Sequence, residues 1–188
     1  MIRYKELQMK AKEMNDIFSD LKKAINDEYN SFFMYSVGMG YCKNEMVKQE
    51  FMQHANEEHE HAQILFQIIN DLGGKYFPCP ESISYPKDCQ YLRPSGDDVQ
   101  KVKDNIKSEQ CVIMSYTSLL KSYEWEPQHY AMIQKIINDE EEHIADLEKI
   151  LPMVKMEKES KEMQEADSPY ASTSSYAPES ARLSSSKY

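Results

Sequence analysis

Two short stretches of the sequence place a glutamate and a histidine three residues apart. Glu58 precedes His61 in NEEHEHAQIL, and Glu140 precedes His143 in INDEEEHIADL. Residues three apart on a helix lie on one face, so each pair can present a carboxylate and an imidazole together. Iron and manganese are suitable metals for such donors. The spacing therefore predicts two halves of a metal site.

The helical register decides which residues of the first stretch point inward. Apolar residues around it recur every three or four positions, which is typical of a helix with one buried face. Extending this register places Glu58 and His61 on the inward stripe, and Glu57, His59 and Glu60 at its flank or outside. The polar run is therefore predicted to be half core and half surface.

The pattern is duplicated along the chain. Glu28 and Glu109 lie on the inward stripes of two other helices, and each is followed seven residues later by a tyrosine, Tyr35 or Tyr116. From each of these glutamates to the next Glu-x-x-His motif is 30 residues in the first copy and 31 in the second. Such an internal repeat favours one composite site over a solvated charged face with incidental histidines.

The negative charges of four carboxylates in one core must be balanced. Burial and mutual repulsion would raise their pKa values or unfold the helices, whereas two divalent cations would balance four negative charges. Tyr35 and Tyr116 are interpreted either as core aromatics or as hydrogen-bond donors to the ligands. His54, one turn before Glu58, is interpreted as a satisfied core histidine, with a transient iron site as the alternative.

The fold predicted around this site is all-α. Long stretches lack glycine, and four periodic segments end in short connections or in one long Pro-containing segment, 73–96. This order predicts an antiparallel four-helix bundle with a long crossover between helices two and three. The four helices are predicted at about 15–40, 44–72, 97–124 and 128–155.

The bundle is predicted to occupy 15–155, with different segments on either side. Residues 1–14 are expected to form a short helix or an N-terminal arm. Residues 156–188 include a segment rich in serine and tyrosine, and they are expected to form a disordered tail.

Composition narrows the function classes. The formal charge of −10 suits a protein that attracts cations and disfavours direct DNA binding. No apolar run is long enough to span a membrane, and no secretion signal opens the chain, so a cytoplasmic protein is expected. The four cysteines form no Cys-x-x-Cys pair, which disfavours a zinc site.

With these residues in view, the chain resembles ferritin-like di-iron proteins of the bacterioferritin type. In such bundles two helices each supply a glutamate and the other two each supply a Glu-x-x-His motif. The resemblance implies terminal ligands Glu28 and Glu109, bridging ligands Glu58 and Glu140, and one histidine for each metal, His61 and His143. It also implies ferroxidase activity, in which two Fe(II) ions are oxidised by O₂ or peroxide.

A second resemblance concerns the cysteines. YPKDCQYLRP and IKSEQCVI look like the paired-cysteine pattern of Dps-like proteins, also called thioferritins. The likeness implies a redox pair, Cys89 and Cys111, near the metals, and a shell of twelve subunits. Two plain thiols are the alternative.

Two departures from related families are informative. His59 stands where bacterioferritins carry a haem-ligating methionine, so no haem is expected. Val112 stands where rubrerythrins carry a further glutamate, and no Cys-x-x-Cys module follows, so a rubrerythrin is disfavoured.

The function predicted from the sequence is iron oxidation, with iron storage or protection against oxidative stress in a Dps-like shell of identical subunits. A small di-metal oxidase or peroxidase that stores nothing is one alternative, and manganese could replace iron. The other is a structural module stapled by metals, whose tail at 156–188 recruits a partner.

Overall fold

The computed structural model describes residues 2–78 and 96–166, and within these ranges it contains four helices and no strand. The helices are α1 (Ile2–Gly40), α2 (Glu45–Asp71), α3 (Asp98–Ser122) and α4 (Pro127–Ala166). The predicted all-α architecture is confirmed, and the six inner helix ends lie close to their predicted positions. Residues 79–95 of the predicted crossover lie outside the described residues.

The two outer helix ends were predicted wrongly. α1 begins at Ile2, so the residues before 15 continue that helix and form neither a separate short helix nor an arm. α4 continues through Pro152 to Ala166, beyond the predicted end near 155. Both extensions are rich in Lys, Glu and Met, which favour helix without an apolar stripe. The periodic stripe marks where a helix packs, and it does not mark where the helix ends.

Local hydrogen bonds explain the inner ends. The Asn44 side chain accepts from the Val47 amide at 3.1 Å, and the Asp97 side chain accepts from the Gln100 amide at 3.0 Å. These residues cap the N-termini of α2 and α3. α2 ends before Gly73, whose φ of 80° lies in the left-handed region that favours glycine.

Side-chain contacts at the two ends of the bundle establish the topology. After α2 the chain turns back beside α1, where the Tyr76 hydroxyl donates to Asn26 at 2.9 Å. α3 starts at the opposite end, because Asp98 accepts from the amides of Lys43 and Asn44 at 2.8 and 2.7 Å. α2 therefore ends and α3 begins at opposite ends of the bundle, the arrangement that the predicted crossover requires.

Two apolar clusters of buried residues make up the core. One is built from isoleucine and leucine on α1, α2 and α4 with Tyr116 and Leu119 of α3, and the other surrounds Phe51 at the opposite end. The glutamates and histidines predicted to bind metal lie between the two clusters along every helix. The bundle core is therefore divided by a polar layer.

The chain divides into two compact units, Met1–Val154 and Lys155–Tyr188. The bundle core belongs to the first. The described helical part of the second carries ion pairs between residues four apart, Lys158 with Glu162 and Lys161 with Glu157. In the described parts of the chain, none of the helices has the length and apolar content needed to cross a membrane.

Asp98 is expected to anchor α3, and its removal should destabilise the bundle. Its carboxylate also pairs with the buried Lys101 ammonium at 2.8 Å, which Asp98→Asn would leave without its counter-charge. We expect a loss of about 2 kcal/mol of unfolding free energy at pH 7, measured by urea denaturation. Asp104→Asn, which makes the same change in charge at an exposed contact with Gln100, is the matched control.

The same effect should depend on pH with a defined sign. Burial opposes ionisation of Asp98, but Lys101 and the two backbone amides outweigh it and lower the pKa of its carboxyl. The stabilisation is therefore present above the unfolded pKa of about 3.9 and is lost as pH falls through the lowered folded pKa. The difference between parent and Asp98→Asn should shrink in that range, and a constant difference would contradict the anchoring role.

Candidate metal centre

The six side chains predicted to bind metal meet in the polar layer, and none is more than 2% exposed. α1 and α3 each contribute one glutamate, while α2 and α4 each contribute a glutamate and a histidine. The residues are Glu28, Glu58, His61, Glu109, Glu140 and His143. All the sequence-predicted ligands are therefore brought together.

They form two overlapping groups of potential ligands. Within each group, one donor atom of every residue lies within 4.8 Å of the others. Glu58 and Glu140 belong to both groups. The first group is completed by Glu28 and His61, and the second by Glu109 and His143. Two cations held in these groups would share two carboxylates, the geometry expected of bridging ligands.

Each histidine turns Nδ1 toward the carboxylates. His61 Nδ1 lies 3.2 Å from Glu140 and 3.5 Å from Glu28, and His143 Nδ1 lies 3.1 Å from Glu140. Nδ1 is therefore the nitrogen placed to bind a metal in both halves.

Each histidine uses Nε2 for an acidic partner on the opposite helix. His143 Nε2 lies 2.7 Å from Glu57, and His61 Nε2 lies 3.1 Å from Asp139. Such carboxylates orient a ligating imidazole and fix its tautomer. Glu57, predicted at the flank or outside, is half-buried and belongs to the site, and its contact with His143 lowers its pKa.

Asp139 was missed from the sequence, although a signal existed. Residues 56–61 and 138–143 share one order: Asn, an acid, Glu, any residue, Glu, His. The acid precedes the shared glutamate in both copies and reaches the histidine of the other copy. His59 and Glu60 are exposed, as predicted.

The two tyrosines join the halves across α1 and α3. The Tyr35 hydroxyl donates to Glu109, and the Tyr116 hydroxyl donates to Glu28. Each tyrosine therefore contacts the glutamate of the other repeat. Burial and neighbouring carboxylates raise the pKa of both tyrosines well above its usual range, which keeps the hydroxyls protonated as donors.

Several carboxylate oxygens and one imidazole nitrogen in this layer lack any hydrogen-bond partner among the described residues. They are Glu28 Oε2, both oxygens of Glu58, His61 Nδ1, Glu109 Oε2 and Glu140 Oε1. Leaving one buried polar atom unsatisfied costs about 1–3 kcal/mol, so such atoms are few in folded proteins. Here they converge on one place and are all metal-ligand types. The residues therefore fit a pair of divalent cations.

The glutamates and histidines of this layer differ in pKa, so some hold a proton and others do not. Burial and the charges of Glu140 and Glu109 raise the pKa of Glu58 well above its usual range. Burial would also raise the pKa of Glu140, but His143 and His61 hold it at about 2. Burial likewise opposes protonation of His143, yet Glu140 and Glu57 raise its pKa to about 10. Protons and metal ions thus compete for one set of atoms.

His54 differs from its predicted role as a satisfied core histidine. It is fully buried, but neither ring nitrogen finds a hydrogen-bond partner within the described residues. Its ring stacks on His143 with the centroids 4.1 Å apart. Burial, and then the charge of His143, lower the pKa of His54 to about 3, which keeps the imidazole neutral.

Cys111 and Cys89 were predicted as a redox pair. Cys111 is half-buried and lines a cavity of about 610 Å³ together with residues of α1 and α3, including Tyr116. Cys89 lies outside the described residues. The pairing stays a prediction.

Glu58→Gln should separate metal binding from folding. Glutamine has the shape of a neutral glutamic acid, so the metal-free variant should unfold within about 1 kcal/mol of the parent. The parent should gain about 3 kcal/mol per site at a hundredfold excess of metal over Kd. The variant should gain much less unfolding free energy from Mn²⁺ than the parent. Calorimetric melting of each protein with and without Mn²⁺ measures this gain. The exposed Glu60→Gln is the control, and equal gains in all three proteins would contradict the site.

Comparisons with known proteins agree with this geometry. A family model described as "Ferritin-like domain" matches residues 19–156. The bacterioferritin-related protein of Bacteroides fragilis, described as a dodecameric thioferritin, is 28% identical with a TM-score of 0.70. That match covers 78% of this chain and 90% of the other.

A two-domain protein of Anabaena variabilis, with DJ-1/ThiJ/PfpI-like and ferritin-like domains, shares the fold at 18% identity and a TM-score of 0.58. That match covers 74% of this chain and 37% of the other. A search of the curated proteins found no significant match. The family match spans most of the chain, including parts or all of each helix and the six predicted metal-binding residues of the buried layer, and the chain belongs to the ferritin-like family.

Proposed function

We propose that this protein is a ferroxidase that takes two Fe(II) ions as substrate and oxidises them together with peroxide or O₂. The observation that supports this most directly is the pair of buried ligand groups sharing Glu58 and Glu140. Shared carboxylates hold two ions close enough to react with one oxidant molecule. The same donors also accept Mn²⁺.

The chain's own residues have distinct parts in this proposal. Glu28 and Glu109 are the terminal ligands, and the tyrosine hydroxyls hold one oxygen of each while the other faces the centre. Two Fe(II) ions supply two electrons, which is the number needed to reduce peroxide to water. Glu57 and Asp139 keep the imidazoles in the tautomer that offers Nδ1.

We further propose that the chains assemble into a shell that stores the oxidised iron and removes peroxide. The match to the thioferritin described as dodecameric supports this assembly, because it covers 90% of that chain. The formal charge of −10 also suits a protein that attracts cations. The Cys89–Cys111 redox pair belongs to the same proposal.

The ferroxidase proposal is tested by anaerobic titration with Fe(II) followed by stopped-flow mixing with peroxide or O₂. Binding should saturate near two ions per chain, and oxidation should show a fast phase. Glu58→Ala and His143→Ala should lose that phase, because each removes a ligand of the second group. His59→Ala, which changes an exposed histidine of the same helix, should retain it. Parent-like rates in both site variants would refute the proposal.

The shell is tested by native mass. Light scattering should find particles of about twelve chains of 22.0 kDa, with an iron mineral after loading. A dimer without mineral but with fast oxidation would favour the small di-metal oxidase instead.

A further inference from the structure

A second cluster of ligand-type side chains lies beside the centre, on α2 and α4. Glu50, His54 and Asp146 each place a donor atom within 4.8 Å of the other two. Glu50 and Asp146 are half-buried, whereas His54 is fully buried. The cluster therefore has its carboxylates near solvent and its imidazole in the core.

The buried imidazole of His54 is not satisfied by the other two residues of the cluster. Both ring nitrogens are buried without a hydrogen-bond partner in the part of the chain that the structure describes. Glu50 Oε2 lies 3.9 Å from His54 Nε2, too far for a hydrogen bond. A cation bound by His54 would remove the cost of a desolvated, unsatisfied nitrogen.

The internal repeat shows that the bundle can pack with apolar residues at the positions equivalent to this cluster. The two Glu-x-x-His motifs are 82 positions apart, so each residue of the cluster has an equivalent in the other copy. Glu50 corresponds to Met132, His54 to Ile136, and Asp146 to Ile64. These three equivalents are apolar and belong to the first core cluster or pack against it. Among the residues that the structure describes, the polar cluster therefore has no counterpart in the other copy of the repeat.

The cluster is separate from the two ligand groups of the centre. His143 and Glu57 also approach His54, but His143 already directs Nδ1 to Glu140 and Nε2 to Glu57. It therefore has no nitrogen left for another ion. Burial and the neighbouring Asp146 raise the pKa of Glu50, which the exposed Lys149 partly offsets. The two carboxylates thus repel each other at the site.

We propose that Glu50, His54 and Asp146 form a third divalent-cation site, from which ions reach the buried centre. One imidazole and two carboxylates, with water completing the shell, suit Zn²⁺, Mn²⁺ and Fe²⁺. The site itself stands independently of ferroxidase activity, whereas its role in delivery rests on the proposed function. His54 lies against His143, so an ion there is about one helical turn from the centre.

Equilibrium dialysis with Zn²⁺, followed by metal analysis of the full chain, tests the site. The parent should retain three ions per chain, while His54→Leu and Asp146→Asn should each retain two. His59→Leu, which removes an exposed histidine of the same helix, should retain three. Equal stoichiometry in parent and His54→Leu, or an equal loss in His59→Leu, would overturn the proposal.

A second variant and the number of bound ions distinguish this site from the centre. Asp146 is half-buried at the surface of α4, so Asp146→Asn tests the site even if His54→Leu fails to fold. One ion in the parent and none in His54→Leu would support this site and refute the centre. Two ions in both proteins would refute this site and support the centre.

The delivery role has a separate kinetic test. With less Fe(II) than the centre can bind, His54→Leu should oxidise iron about tenfold more slowly than the parent, a change of about 1.4 kcal/mol in the barrier. The final amount of oxidised iron should be unchanged, because all six ligands of the centre remain. Unchanged rates would overturn delivery through this site.

Discussion

A layer of four buried glutamates is the constraint on which the rest of this bundle depends. Carboxylates this close repel one another, and their burial weakens the screening of that repulsion by solvent. The two apolar clusters on either side hold the helices together against it. Because each cluster packs residues of all four helices together, one on either side of the layer, the glutamates cannot move apart. Their charge must instead be balanced by protons or by metal ions.

The contacts around this layer link the two halves of the repeat. Tyr35 bonds the glutamate of the second copy, and Tyr116 bonds the glutamate of the first. Glu57 and Asp139 behave in the same way toward the histidines. Every supporting bond therefore joins two helices, and none of the four is made within one motif. A displacement of any helix would disturb both halves of the centre together.

The sequence predicted the inward-facing side chains of the layer better than the residues around them, for a physical reason. An inward-facing residue is determined by its own helix, so the register of Glu58 and His61 could be read directly. A flanking residue faces whatever helix lies beside it, and the neighbour of Glu57 is set by tertiary packing. The helix ends at Ile2 and Ala166 escaped prediction because periodicity reports burial, and these turns carry no regular apolar stripe.

The repeat is symmetric at the centre and asymmetric around it. Both copies supply the same buried glutamates and histidine, yet Ile136 stands in one copy where His54 stands in the other. Isoleucine seals that side of the layer with apolar packing, so a hydrated cation would have to be stripped of water to pass it. On the opposite side, Glu50 and Asp146 offer oxygen atoms that can replace water one at a time. Under the proposed delivery role, this difference would let cations approach the buried centre from the side of Glu50 and Asp146.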